Sequence, residues 1–119
     1  MNKALEKTVK KILDAATAFT PAEKALEKTI DKILDDYDVN LNKIKSRLRT
    51  SKICEPRWLI WYLNREFTYQ SLPQIGDRYN RDHTSIMNGL KKIEEKHPEK
   101  IKFYEKYYRA EKEKEKQLD

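Results

Sequence analysis

SLPQIGDRYNRDHTSIMNGLKKIEEK, residues 71–96, carries two helical patterns and the turn between them. Ser71 suits an N-cap, and Pro73 falls in the first turn of the helix that follows. Leu72, Ile75 and Tyr79 share one face at i, i+3 and i+7, so that face is expected to turn inward. Gly76 lies mid-pattern, where a missing side chain permits close packing. Asn80-Arg81 makes the turn. Asp82 then suits the N-cap of a second helix running through Lys96, with Ile86, Leu90 and Ile93 inward. Pro98 ends it. Two short helices joined by a tight turn, the second opening on small polar residues and a histidine, describe a helix-turn-helix.

The rest of the chain predicts more helix. Only 2 glycines occur in 119 residues, charged residues reach 39% against 38% hydrophobic, and Lys, Glu, Leu and Ile predominate. That composition predicts an all-α chain with a modest core. ALEKTVKKILD at 4–14 recurs as ALEKTIDKILD at 25–35. Leu5, Val9, Ile12 and Leu13 in the first copy match Leu26, Ile30, Ile33 and Leu34 in the second, one helical face each. Thr20-Pro21-Ala22-Glu23 predicts a capping box and a helix start at Pro21, with the helix fading over Tyr37–Asn40. Leu41 to Arg49 is expected as a short basic helix, broken at Thr50-Ser51. A helix beginning at Pro56 and reaching Thr68 follows; Trp58-Leu59-Ile60-Trp61-Tyr62-Leu63 makes it central, with both tryptophans assigned to the core. The segment 99–116, with Ile101, Tyr104 and Tyr108, is expected as a frayed, solvated helix. The organisation expected is an extra N-terminal helix over 1–20, a DNA-binding domain over 21–97 and a charged helical tail over 98–119.

Charge points to the partner. The net charge is +6, and residues 41–65 hold seven bases (Lys43, Lys45, Arg47, Arg49, Lys52, Arg57, Arg65) against Glu55 alone. The flanking stretches are near neutral, so the excess is one basic patch, the footprint of a polyanion. In a helix-turn-helix the second helix presents its first side chains to base edges, and short polar residues there allow close approach. Asp82, His83, Thr84, Ser85, Asn88 and Lys91 suit that task. The two histidines and one cysteine lack metal-ligand spacing, no nucleophile–base set emerges, and Gly76 and Gly89 cannot build a phosphate-binding loop of the Walker type. No catalysis, metal or cofactor is therefore expected. No apolar run approaches a membrane span, and Cys54, expected as a small core residue, implies a reducing, cytoplasmic setting.

These residues resemble a known family. Ser71-Leu72-Pro73-Gln74-Ile75-Gly76, followed by Arg81-Asp82-His83-Thr84-Ser85-Ile86, resembles the SLPEIG…GGRDHTTV signature of the C-terminal DNA-binding domain of the bacterial replication initiator DnaA. Arg49-Thr50-Ser51 and Glu55-Pro56-Arg57 fit the same domain, and the likeness covers roughly 25–97. It implies binding of double-stranded DNA at A·T-rich initiator-box-like sites. By that likeness Arg49 enters the minor groove, and Asp82, His83 and Thr84 read bases in the major groove, with Ser85 in place of the usual second threonine. Arg57 and Arg65 match basic positions near phosphate or bases, and Leu72 and Pro73 match positions that contact the phosphate backbone. Lys43, Lys45, Arg47, Lys52, Arg81, Asn88 and Lys91 are expected as further backbone contacts. An aspartate accepting from cytosine N4 and a His or Thr on a thymine methyl are chemically sensible.

Three departures stand out. The turn Tyr79-Asn80-Arg81 is one residue shorter than Phe-Gly-Gly-Arg, which can rotate the recognition helix. Trp58 stands where a polar residue is usual. Glu55 replaces a basic one and would repel phosphate if exposed. Two functions stay open at this level. One is a sequence-specific DNA-binding protein controlling replication initiation or transcription, as in a phage or mobile element. The other is a helical adaptor for a replication or transcription protein. Residues 1–35 are the candidate surface for a homodimer or protein partner.

Overall fold

The computed structural model describes residues 20–117, so the repeat copy at 4–14 and the expected helix over 1–20 lie outside the described residues. Among the described residues the chain is all helical, with no strand. Helix α1 spans Pro21–Tyr37, with Thr20 Oγ1 accepting from the Glu23 amide at 3.2 Å. It ends where Asp38 takes a left-handed conformation (φ 52°) and donates back to Leu34 and Asp35, a role short polar side chains tolerate.

Helix α2, Leu41–Lys45, stops four residues before the expected end. The reason lies in its carbonyls. Ser46 donates to the Lys43 carbonyl through both its amide (3.1 Å) and its hydroxyl (2.6 Å). Arg57 Nε donates to the Ile44 carbonyl at 2.9 Å, the oxygen that the Leu48 amide would need for the helix to continue. Side chains thus satisfy the terminal carbonyls, and the chain leaves in an extended conformation at Ser46.

Helix α3, Ser51–Phe67, begins five residues before Pro56, and Pro56 sits inside it. The Thr50 carbonyl nucleates it by accepting from Ile53 (3.0 Å) and Cys54 (2.9 Å). Pro56 removes only the bond to Lys52, whose exposed position gives water access to the freed carbonyl. The helix is central as expected: Leu59, Ile60 and Leu63 are fully buried and Trp61 nearly so. Asn64, also fully buried, donates to the Ile60 carbonyl (2.8 Å) and to the Tyr79 hydroxyl (2.9 Å).

Helices α4, Leu72–Tyr79, and α5, His83–Lys96, lie where the sequence places them. Ile75, Tyr79, Ile86 and Ile93 join the core. Helix α6, Pro98–Gln117, follows after His97 alone. It is not the solvated helix expected. It packs along α1, with Ile101, Tyr104 and Tyr108 buried. Tyr104 donates to Asp36 at 2.7 Å, and Tyr108 stacks on Phe67 with ring centroids 3.9 Å apart. Glu115, 8% exposed, is bonded to Lys28, which also faces Glu111.

Candidate nucleic-acid interface

The turn between α4 and α5 is built from three residues, Asn80 to Asp82. Asn80 is left-handed (φ 59°), and the Arg81 amide donates to the Gly76 carbonyl at 2.7 Å. A Cβ on Gly76 would run into the Arg81 carbonyl. The close approach that Gly76 permits is therefore to the turn's backbone. On the other side, a Cβ on Gly89 would lie 2.6 Å from Trp58 Cδ1 and 2.7 Å from Trp61 Cε3. Helix α5 is pressed onto α3 at that point.

Asp82 caps α5, its Oδ1 accepting from the Ser85 amide at 2.7 Å. That backbone bond is the chief reason its carboxyl is held below the usual carboxylate range. His83 and Thr84 open the helix exposed, as are Asn88 and Lys91 further along. With the Ser85 amide taken by the cap, the remaining first-turn amides and the outward side chains suit contact with nucleic acid.

Beside this N-terminus lies a groove of 510 Å³. Arg47, Arg49, Ser51, Cys54, Arg57, Trp58 and Trp61 form one wall, and Arg81, Ser85, Asn88, Gly89 and Lys92 the other. It holds five cations and no carboxylate. Burial, and then the neighbouring charges of Arg47 and Arg49, push the Arg81 guanidinium below its ordinary pKa; burial and Arg81 do the same to Arg57. Arginine still stays charged, so the groove keeps an uncompensated positive field. A second hollow of 300 Å³, lined by Arg47, Gly76, Asp77, Asn80, Arg81, Asp82 and Ser85, adjoins it.

The structure thus gathers Arg47, Arg49, Arg57, Arg81, Ser85 and Asn88 in one groove, with Asp82 at its edge. Other expected residues stand elsewhere. Lys45 lines a separate hollow between α1 and α4, with Glu27 and Asp31. Arg65 is exposed and donates to the Gln70 carbonyl at 3.1 Å. Lys43, Lys52 and Pro73 are exposed, while Leu72 packs against the core. Arg57 differs most from expectation: it is 3% exposed, and its donors go to backbone carbonyls. Cys54 lines the groove half-buried, 3.9 Å from Arg57, outside the core cluster. Glu55 faces His97 (2.7 Å) and Lys100 (2.8 Å), and the Lys100 ammonium offsets its charge.

Lys92 and Trp58 were not among the expected site residues. Lys92 lies on the Ser85 and Asn88 face at i, i+3, i+7, a spacing readable in the sequence. Its ammonium also sits 5.4 Å from the centroid of the Trp58 ring, within reach of a cation–π contact.

A short helix, a tight turn and a second helix opening beside an arginine groove define a helix-turn-helix domain of the nucleic-acid-binding class. Residues 26–93 match the family described as bacterial DnaA protein helix-turn-helix, and the chain belongs to that family. The chain is 42% identical over 57 residues to the chromosomal replication initiator protein DnaA of Thermoanaerobacter sp. strain X514, covering 48% of this chain and 13% of that protein. Against the DnaA of Cereibacter sphaeroides strain ATCC 17029 it is 43% identical over 60 residues, 50% of this chain and 13% of the relative. Against that of Neisseria meningitidis strain FAM18 it is 38% identical over 74 residues, 59% and 14%. The chain thus spans only 13% to 14% of the length of these curated relatives. The family's domain is a DNA-binding, non-catalytic one. No described helix is long and apolar enough to cross a membrane.

Proposed function

We propose that the chain binds double-stranded DNA sequence-specifically, at A·T-rich sites like those of the initiator, and acts there in the control of replication initiation. Helix α5 lies in the major groove, where His83, Thr84 and Ser85 reach base edges. Asp82 has one carboxylate oxygen engaged in its cap and a second to accept from a cytosine amino group. Arg49 reaches into the adjacent minor groove. Arg47, Lys43, Lys52, Lys91, Lys92 and Asn88 meet phosphates, with Leu72 and Pro73 setting the approach of α4 and Arg65 beyond them.

The observation that carries this reading is the carboxylate-free groove, with Arg49 on one wall and the start of α5 on the other. Base reading and phosphate anchoring then have different signatures. His83→Ala is expected to weaken binding to the preferred duplex by about 1–3 kcal/mol while leaving a shuffled duplex almost unaffected. Lys91→Ala should weaken both alike and flatten the log–log salt dependence by about 0.9. Fluorescence anisotropy on both duplexes checks the pair. Equal losses for His83→Ala on the two duplexes would remove the base-reading role.

A further inference from the structure

We propose that Arg57 and Arg81 are positioning residues: together they clamp the Ser46 carbonyl, and so hold the Arg49 loop in register with the first turn of α5. This rests on the DNA-binding reading above and takes both arginines out of the phosphate contacts expected from the sequence.

The geometry is specific. Arg57, carried by α3 and 3% exposed, spreads its guanidinium over the end of α2. Nε meets the Ile44 carbonyl at 2.9 Å, and Nη2 meets those of Ser46 at 2.9 Å and Lys43 at 3.4 Å. Arg81, in the turn, donates through Nη2 to the same Ser46 oxygen and through Nη1 to the Asn80 carbonyl at 3.1 Å. One carbonyl with two lone pairs therefore joins α3, the turn and the basic loop. Two like charges converge there, and the shared oxygen offsets part of their repulsion.

The consequence falls on Arg49. Its loop leaves the clamp at Ser46 and ends at Thr50, whose carbonyl is fixed by Ile53 and Cys54. A three-residue span anchored at both ends has little freedom, since each residue reaches at most about 3.6 Å. Arg81 also has its amide on Gly76 and directly precedes Asp82, the cap of α5. The two base-reading elements, 35 residues apart at the Ser46–Arg81 bond, are thereby set at a fixed separation. Preorganisation of this kind stabilises a complex by reducing the ordering required on binding.

The test uses the full chain with Arg57→Gln, Arg81→Lys and Arg49→Ala, singly and in pairs. Arg81→Lys keeps the charge but loses the second arm, so it separates positioning from phosphate contact even if Arg57→Gln fails to fold. For Arg81→Lys the clamp predicts a loss of about 10- to 100-fold on the preferred duplex, no change in salt slope, and little further loss when Arg49→Ala is added. Base-pair changes facing α5 should keep their wild-type cost. A salt slope lower by about 0.9 for Arg57→Gln, with equal losses on preferred and shuffled duplexes, would make Arg57 a phosphate contact and overturn the proposal. A second readout needs no DNA. Backbone ¹⁵N relaxation should show Arg47–Arg49 more mobile in Arg81→Lys and α5 unchanged. Unchanged relaxation overturns the clamp, whereas failure of the wild type to bind duplex overturns only the proposed function.

Discussion

Gly76 shows how a single position ties fold to site. Its missing side chain lets the Arg81 carbonyl close over α4, and Arg81 in turn meets Ser46. Gly76→Ala meets backbone, which cannot swing aside as a side chain can. It is expected to destabilise by about 1–3 kcal/mol, read by urea unfolding, and to weaken DNA binding beyond that loss. Unaltered stability would mean the turn has room the structure does not show. Glu55 offers a pH-dependent counterpart. Burial raises its carboxyl pKa, but bonds from Lys100 and Tyr37 and the charges of Lys100 and His97 outweigh this and hold it below the usual range. A depressed folded pKa stabilises above the unfolded value, and the gain fades as pH falls through the folded value. Glu55→Gln should therefore lower the melting temperature at pH 7, and the gap to wild type should close below about pH 4. A gap that stays constant across that range would contradict the pairing.

The helices differ in how far the sequence announces them, and the differences have physical causes. Helices α4 and α5 are legible because their caps, their turn and their apolar spacing are all local. Ser71 and Gln74 form a reciprocal box, with bonds of 3.3 and 2.8 Å, where the sequence pattern predicts only the Ser71 cap. Helix α2 is cut short by Arg57, 13 residues away at Ile44, and no local pattern carries that information. Helix α3 starts before Pro56 because the Thr50 carbonyl takes two amides, whereas a proline invites reading as a first residue. Helix α6 was masked by its lysines and glutamates. Ile101, Tyr104 and Tyr108 suffice to dock it, and Glu115 becomes buried only because Lys28 of α1 lies opposite. Docking by these side chains predicts that Tyr108→Ala, which loses the stack on Phe67, costs about 3–5 kcal/mol. Tyr104→Phe, which loses only the bond to Asp36, should cost about 0.5–1.5 kcal/mol. Chemical denaturation of both variants checks the ranking. A negligible effect of Tyr108→Ala would return α6 to the solvated helix expected from its composition.

For the molecule as a whole, charge follows architecture. The basic excess of residues 41–65 is split by folding: Lys45 goes to a hollow shared with acids, Arg57 goes inside, and Arg47 and Arg49 stay at the groove. Helix α5 then adds Lys92 to the groove, and the turn adds Arg81. The existence of a basic groove was thus legible in composition, and the exposed start of α5 beside it in the motif at 81–85. Which arginines face outward was not, because that depends on carbonyls brought close by the fold. This surface is proposed to read DNA sequence, beyond attracting phosphate. The most direct measurement is the affinity of the full chain for an A·T-rich initiator-box duplex and for its shuffled counterpart, across a series of salt concentrations. Affinity is expected to fall with salt on both, with slopes near −0.9 per neutralised phosphate, and the box to be bound at least about 10³-fold more tightly throughout. Equal affinity for the two duplexes, or no binding to either at low salt, would contradict it.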